Sequence, residues 1–531
     1  MGQDDCHERA DRRQPGERVN SRLVAAAAVA GLAIAGCSAG SAASGGGSPS
    51  PATAPAPGSG SAGPSSALAW RACPQVAEDL LCASLKVPLN YARPHGRQIT
   101  LALSEVPASA PPGKRQGVLL VNPGGPGGTG RSLAAFVAQG LSPEVAAEYN
   151  IIGFDTRGTG ASVPALHCDP SFFARARPTY VPASWAAEQV LIGRAKAYAA
   201  DCQRRFGWLL PYMTTRNIAR DLDSIRVALG QRQISYYAFS YGTYIGQVYA
   251  TMFPSRVRRM VLDSTVDPRG VWYADNFAQD YAFQGRMTAF LRWAARYNAD
   301  FRLGGTAAAV SRAFATASSR LLARPINGVV GPDELTDTFL AGGYSNSFWP
   351  DLAGALSNYL NNNDGSDLVQ LYQSVGVQGE NEFAVYNAVE CSDVSWPRRW
   401  ATWNADMIKA NETAPFETWG NTWFNAACAF WPVKGPAQPL HIDGAGLPPI
   451  LMLQGTLDPA TPYLGALVAR KRLPTARMVV VEGGGNHGQS LSSPPNRCVL
   501  GYLDRYLGNG GLPAGTGTVS ATCPALPAPA P

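Results

Sequence analysis

Histidine is scarce in this chain, with five in 531 residues, so any reaction that needs an imidazole base has few places to find one. No CxxC pair and no Cys/His cluster with zinc spacing occurs, which argues against a metal site, and no cofactor is expected. Charged residues make up only 15% of the chain, the net charge is a modest +6, and Lys and Arg are scattered rather than gathered in blocks. Nucleic acid is therefore not the expected partner. No internal repeat is evident, and the apolar run at residues 23–36 (LVAAAAVAGLAIAG) is too short to span a bilayer comfortably.

What is present describes an exported globular protein. Hydrophobic residues at 46% supply ample core, and the length exceeds one ordinary core, so one domain with a substantial insertion is expected. Residues 1–36 read as a targeting segment: Arg18 and Arg22 end a charged stretch, the apolar run follows, and Ile34-Ala35-Gly36-Cys37 resembles a bacterial lipobox. That resemblance implies cleavage before Cys37, lipidation of its thiol, and anchoring on the outer face of the cell membrane. An ordinary signal peptide with an incidental cysteine, giving a secreted protein, is the other reading. Residues 37–67 are rich in Gly, Ser, Ala and Pro and carry no charge, as expected of a flexible tether. Setting aside Cys6 and Cys37 leaves eight cysteines, an even number that in an exported chain suggests disulfides. Local pairing of Cys73 with Cys82, Cys168 with Cys202, Cys391 with Cys428 and Cys498 with Cys523 is the simplest arrangement, although sequence alone permits many others.

Beyond the tether, apolar strand patterns alternate with helical ones. Residues 82–91 and 98–107 read as a hairpin, while 117–122 (GVLLVN), 149–155 (YNIIGFD), 234–239 (ISYYAF) and 258–264 (RRMVLDS) read as strands buried on both faces. Helices are expected at 214–229 and 241–252. The sheet resumes with 449–456 (PILMLQGT) and 477–483 (RMVVVEG), around a helix near 463–472 and before a last helix near 497–507. This order predicts an α/β architecture, a mostly parallel sheet with helices on both faces. Its core would be built from residues 68–268 and 446–531. Between them, residues 269–445 lose the strand pattern and concentrate tryptophan, predicting a large, mainly helical lid.

The chemistry centres on Ala238-Phe239-Ser240-Tyr241-Gly242, a Gly-x-Ser-x-Gly elbow with alanine in the first position. An apolar strand ends at Phe239 and a helix starts at Tyr241, the setting that lifts a nucleophilic serine clear of a sheet. A buried helix-capping serine is the bland alternative. A serine hydroxyl needs a base. His7 lies in the leader, His95 and His167 precede the serine, and His441 sits in Pro-rich surroundings. His487, in a Gly-rich loop at a strand's carboxyl end, is the preferred base. Asp458, just past the preceding strand, is the preferred acid to orient it, with Asp263 as the rival. The oxyanion formed on attack would be held by the amide of Tyr241 and by one from the loop Pro123-Gly124-Gly125-Pro126-Gly127-Gly128, most simply Gly125 with Gly124 as neighbour. That loop lacks the following Lys-Ser/Thr of a phosphate-binding loop.

These residues resemble the tripeptidyl-aminopeptidase-like branch of the α/β-hydrolases, relatives of the prolyl aminopeptidases. The resemblance rests on Asn122-Pro123-Gly124-Gly125-Pro126-Gly127, similar to that family's His-Gly-Gly-Pro-Gly loop, and on Asp155-Thr156-Arg157-Gly158-Thr159-Gly160-Ala161-Ser162. It rests also on Phe239-Ser240-Tyr241-Gly242-Thr243, on residues 455–462 and on Gly485-Asn486-His487-Gly488. It implies the triad Ser240, Asp458 and His487 and release of short peptides from a free amino terminus. The ammonium would be held by lid carboxylates, for which Glu390 and Asp393 are the candidates. Ala238 and Pro123 depart from the family pattern. The same machinery serves esterases, lipases and small-molecule amidases, so a small ester or amide is the alternative substrate. A non-catalytic binding lipoprotein is a third reading, which an intact triad disfavours.

Overall fold

Strand segments such as GVLLVN and ISYYAF offer no polar face to water, so they are stable only inside a sheet covered on both sides. In the computed structural model, which describes residues 68–173, 177–377 and 379–531, that is where they lie. The leader, the tether and Cys37 fall outside these residues. The strands are β1 (Arg71–Ala72), β2 (Leu81–Pro88), β3 (Gln98–Val106), β4 (Gly117–Asn122), β5 (Tyr149–Phe154), β6 (Ile234–Phe239), β7 (Val257–Asp263), β8 (Leu451–Gly455), β9 (Arg477–Glu482) and β10 (Ala521–Pro524). They form one sheet in the order β1-β2-β3-β5-β4-β6-β7-β8-β9-β10. The first four are joined by antiparallel ladders, and from β5 onward every pair is parallel. Alternate residues feed opposite faces: Leu119 and Val121 pack with Tyr237, Val261 and Val479, whereas Leu120 packs with Tyr236, Leu262, Met452 and Val480. Because the strands run parallel, β4, β6, β7, β8 and β9 deliver their following loops to one edge of the sheet.

The helices that matter below are α1 (Trp185–Phe206), α2 (Thr215–Ala228), α3 (Tyr241–Met252), α4 (Tyr273–Arg296), α5 (Pro332–Tyr344), α6 (Glu380–Asp393), α7 (Thr418–Asn425), α8 (Tyr463–Arg472) and α9 (Arg497–Asn509). Among the described residues no strand of the sheet interrupts the chain between β7 and β8. The helical insertion has two packing regimes. Its first part closes around a core of its own that includes Trp293, Phe339, Trp349 and Leu356. Its second part, from α6 to Trp431, sinks Phe383, Val385, Trp403 and Trp431 into the core of the sheet.

α1 is absent from the sequence expectations, because its buried face is mostly Ala, Tyr and Cys and contrasts weakly with its other face. It docks on the insertion through Leu191, Ile192 and Ala195 against Trp423 and Ala426. At the start of α6, Glu380 accepts hydrogen bonds from the N–H groups of Cys168 (2.8 Å) and Asp169 (2.9 Å) and from the Tyr198 hydroxyl (2.9 Å). The cysteines pair locally, Cys73–Cys82, Cys168–Cys202, Cys391–Cys428 and Cys498–Cys523. No helix among the described residues is long and apolar enough to cross a membrane.

The Asp-Thr-Arg-Gly motif after β5 is a structural junction. Arg157 and Asp221 of α2 have fully buried side chains (0% and 1% exposed), joined by two short contacts at 2.7 and 2.8 Å. The guanidinium also donates to the carbonyls of Leu89 and Tyr212. Asp221→Ala strands this cation in the core, so urea unfolding should show a loss of about 3–5 kcal/mol. Replacing both partners with apolar residues of similar volume should cost much less.

Candidate active site

Ser240 stands between β6 and α3 with φ 55° and ψ −133°, a left-handed conformation that an L-residue holds only when its surroundings impose it. Those surroundings are tight. A Cβ on Gly242 would meet Asn122 Oδ1 at 2.7 Å and the Ala238 methyl at 3.0 Å, so alanine at 238 is accommodated only because 242 is glycine. The Ser240 N–H donates to the carbonyl of Asp263 (3.1 Å), and the Thr243 hydroxyl donates to the Ser240 carbonyl (2.6 Å).

The loop after β4 lies against this turn. Gly124 (φ 103°) approaches so closely that a Cβ would meet Ser240 Cβ and Tyr241 N, each at 2.9 Å. The Gly124 N–H is taken by Asn122 Oδ1 (3.0 Å). The neighbouring Gly125 reaches the cavity beside Ser240 and Tyr241, and the Tyr241 N–H, at the first position of a helix, has no intrahelical acceptor. Of the two loop glycines proposed as donors, the geometry thus leaves Gly125 available and employs Gly124 in closing the turn. Asp155 secures the far end of this loop by accepting from the N–H groups of Gly130 (2.9 Å) and Ala161 (3.0 Å).

His487 and Asp458 meet. Imidazole Nδ1 lies 2.9 Å from Asp458 Oδ1 and 3.1 Å from Oδ2, which places the proton on Nδ1 and leaves Nε2 as the acceptor. Nε2 is buried and has no hydrogen-bond partner among the described residues, so it is not bonded to Ser240 Oγ in this arrangement. Burial disfavours the charged ring, but the charge and hydrogen bond of Asp458, with Asp263 behind, outweigh it and raise its pKa. Asp458 is itself oriented by the N–H groups of Ala460 (3.0 Å) and Thr461 (3.1 Å) and by the Thr461 hydroxyl (3.2 Å).

The rival acid, Asp263, has a different task. Its carboxylate accepts from the N–H groups of Gln489 and Ser490, both at 2.8 Å, and from the Ser490 hydroxyl, while its carbonyl receives the Ser240 N–H. One residue thereby ties the serine turn to the histidine loop. Burial pushes its pKa up to about 6 against these hydrogen bonds. From the insertion, the Tyr344 carbonyl accepts the His487 N–H (2.7 Å), and Asn486 Oδ1 accepts from the Asn346 N–H (3.0 Å). Neither Tyr344 nor Thr461 was singled out in the sequence. Asp-Pro-Ala-Thr carries a recognisable side-chain-to-backbone turn signature, whereas nothing local marks Tyr344. Of the other candidate bases, His441 sits on the exposed side beside Arg472, and His167 is held by Glu380.

Between sheet and insertion lies a cavity of about 610 Å³. Ser240, Tyr241, Gly125 and Trp272 line it on the sheet side, and Tyr344, Glu390, Glu417 and Asn421 on the lid side. Glu390 is 3% exposed, its Oε2 has no hydrogen-bond partner, and burial holds its carboxyl well above the usual carboxylate range. Asp393 is not part of the lining. It is half-buried and accepts from the N–H (2.7 Å) and hydroxyl of Thr215 at the start of α2.

Residues 117–492 match the alpha/beta hydrolase fold family. The tripeptidyl aminopeptidase of Streptomyces coelicolor is 39% identical over 464 residues, covering 85% of this chain and 85% of that protein. The serine protease Hip1 of Mycobacterium tuberculosis is 31% identical over 461 residues, 82% of this chain and 86% of its own length. Carboxylesterase B of the same organism is also 31% identical, covering 84% of this chain and 88% of its own. With a mostly parallel sheet, a serine on a strained strand-to-helix turn and an Asp–His pair at the same sheet edge, this chain belongs to the α/β-hydrolase fold family.

Proposed function

We propose that this hydrolase is a serine exopeptidase that releases short peptides from free amino termini, resembling tripeptidyl aminopeptidases, with Ser240, His487 and Asp458 as its triad. His487 Nε2 takes the Ser240 proton as the oxygen attacks the scissile carbonyl. The N–H groups of Tyr241 and Gly125 receive the oxyanion. The imidazolium then protonates the leaving amine, and water, activated by the same ring, hydrolyses the acyl-enzyme.

The observation that carries the peptidase reading is the buried, unpartnered Oε2 of Glu390 in the cavity that holds Ser240. An isolated carboxylate there is costly unless the substrate brings a cation, and a free α-ammonium is that cation. Asp393 supports this wall indirectly through Thr215. Comparing tripeptide 4-nitroanilides with free and acetylated amino termini tests it, with Ser240→Ala as the control. Free termini should be preferred, and Glu390→Gln should lower kcat/KM for the free substrate roughly 10- to 100-fold, the equivalent of one charged hydrogen bond of about 1.5–3 kcal/mol. Equal turnover of free and blocked peptides would sink this assignment.

A second reading, an esterase, is favoured by the carboxylesterase relative. Rapid cleavage of 4-nitrophenyl esters with no amide cleavage would establish it instead. The four disulfides suit an oxidising compartment. An anchor at Cys37 completes the proposal, and Cys37→Ala should move the protein from the membrane fraction to the soluble one.

A further inference from the structure

The cavity holds more carboxyl groups than an amino terminus requires. Of its five lining carboxyls, Asp337 is paired with Arg177, Asp267 is paired with Arg269, and Asp275 sits in the first turn of α4. Glu390 and Glu417 have no ion pair among the described residues, and each has a buried Oε2 without a hydrogen-bond partner. They stand on different helices of the insertion, Glu390 within α6 and Glu417 at the start of α7, and each would hold one negative charge. One α-ammonium therefore does not neutralise both.

We propose that Glu417 is a specificity-determining residue that binds the cationic side chain of a lysine or arginine in the acyl portion of the substrate. This rests on the exopeptidase reading and assigns it a substrate class. Glu417 opens α7, and the next residues of that helix on the cavity wall are Gly420, Asn421 and Phe424. Gly420 lets the Tyr180 ring pack against this helix, since a Cβ there would meet the ring at 3.1 Å. Leu340 and Phe424 supply apolar walls for a methylene stem, and the carboxylate meets the charge at its end. Burial, together with the charges of Asp280 and Asp337, keeps the Glu417 carboxyl well above its ordinary range, a cost that a bound ammonium or guanidinium would relieve. Arg177, the cation on this side of the lining, is already held by Glu334 and Asp337 and does not serve Glu417.

The test is a set of free-amino tripeptide 4-nitroanilides with lysine, norleucine or glutamate at each position, read as ratios of kcat/KM within each enzyme. Wild type should favour lysine over norleucine at least 10-fold at one position. Glu417→Gln should bring that ratio near one, Glu417→Asp should retain part of it, and Glu417→Lys should turn the preference toward glutamate. A wild-type ratio near one at every position overturns the proposal, as does a preference that survives Glu417→Gln. Loss in Glu417→Gln of the distinction between free and acetylated termini also overturns it, assigning Glu417 to the amino end. Failure of the exopeptidase reading is seen separately, as ester turnover without anilide cleavage. In that case 4-nitrophenyl 6-aminohexanoate against the hexanoate ester poses the same question, and equal rates in wild type reject the cation site.

Discussion

Ser240→Ala should lower kcat on a tripeptide 4-nitroanilide by about 10⁶-fold, with the thermal unfolding transition hardly moved. The loss is large because the hydroxyl is the group acylated, and the surrounding architecture serves to present it: the left-handed backbone at 240, the small residue at 242 and the Asp263 carbonyl on its N–H. None of these depends on the hydroxyl itself, so the fold should tolerate the change. His487→Ala should cost about as much, and the double variant scarcely more than either single one, because nucleophile and base act as a unit. Steady-state kinetics with stopped-flow detection of the acyl-enzyme burst would measure this. A Ser240→Ala enzyme retaining more than a hundredth of wild-type kcat would mean another nucleophile.

Asp458→Asn should reduce kcat by roughly 10⁴-fold and displace the acid limb of the pH–rate profile. The sign follows from His487. The base must be neutral, so kcat/KM rises as pH climbs through the imidazole pKa, which stands above the ordinary value of 6.5. Burial alone would lower that pKa; the Asp458 carboxylate raises it. Asparagine removes the charge while keeping the shape, so the limb should move to lower pH. The small remaining rate should also become less sensitive to acid. Asparagine can present its amide N–H₂ to Nδ1, which would place the ring proton on Nε2, the atom required to accept from Ser240. A variant with wild-type kcat, or with its limb moved to higher pH, would transfer the orienting role elsewhere. Asp263 is the obvious recipient, but its oxygens are committed to Gln489 and Ser490.

Some of this was legible because its physics is local. Buried parallel strands announce themselves as unbroken apolar runs, and the expected segments for β4, β5 and β6 agree with the structure to within a residue. The Ala-Phe-Ser-Tyr-Gly turn, the glycine loop and the Asn-His-Gly loop carry their geometry in their composition. The scarcity of histidine reduced the choice of base almost to elimination. Local cysteine pairing was the simplest of many arrangements and is the one present. α1 was not legible, since a helix whose buried face mixes Leu191 and Ile192 with Ala, Tyr and Cys contrasts weakly with its other face.

By itself, then, the sequence determined the order of the elements, the strained serine and the histidine proposed as its base, because each follows from short-range sterics or from the rarity of a residue type. Only the tertiary structure sets Asp458 apart from Asp263, the two looking alike at the ends of their strands. A carboxylate's role depends on which donor reaches it across the sheet edge: for one an imidazole, for the other two backbone N–H groups and a serine. The same holds in the lid, where Asp393 turned out to hold α2 and Glu417, unremarked in the sequence, faces the cavity. Whether a carboxyl in a helical insertion is left without a partner is a property of three-dimensional packing alone.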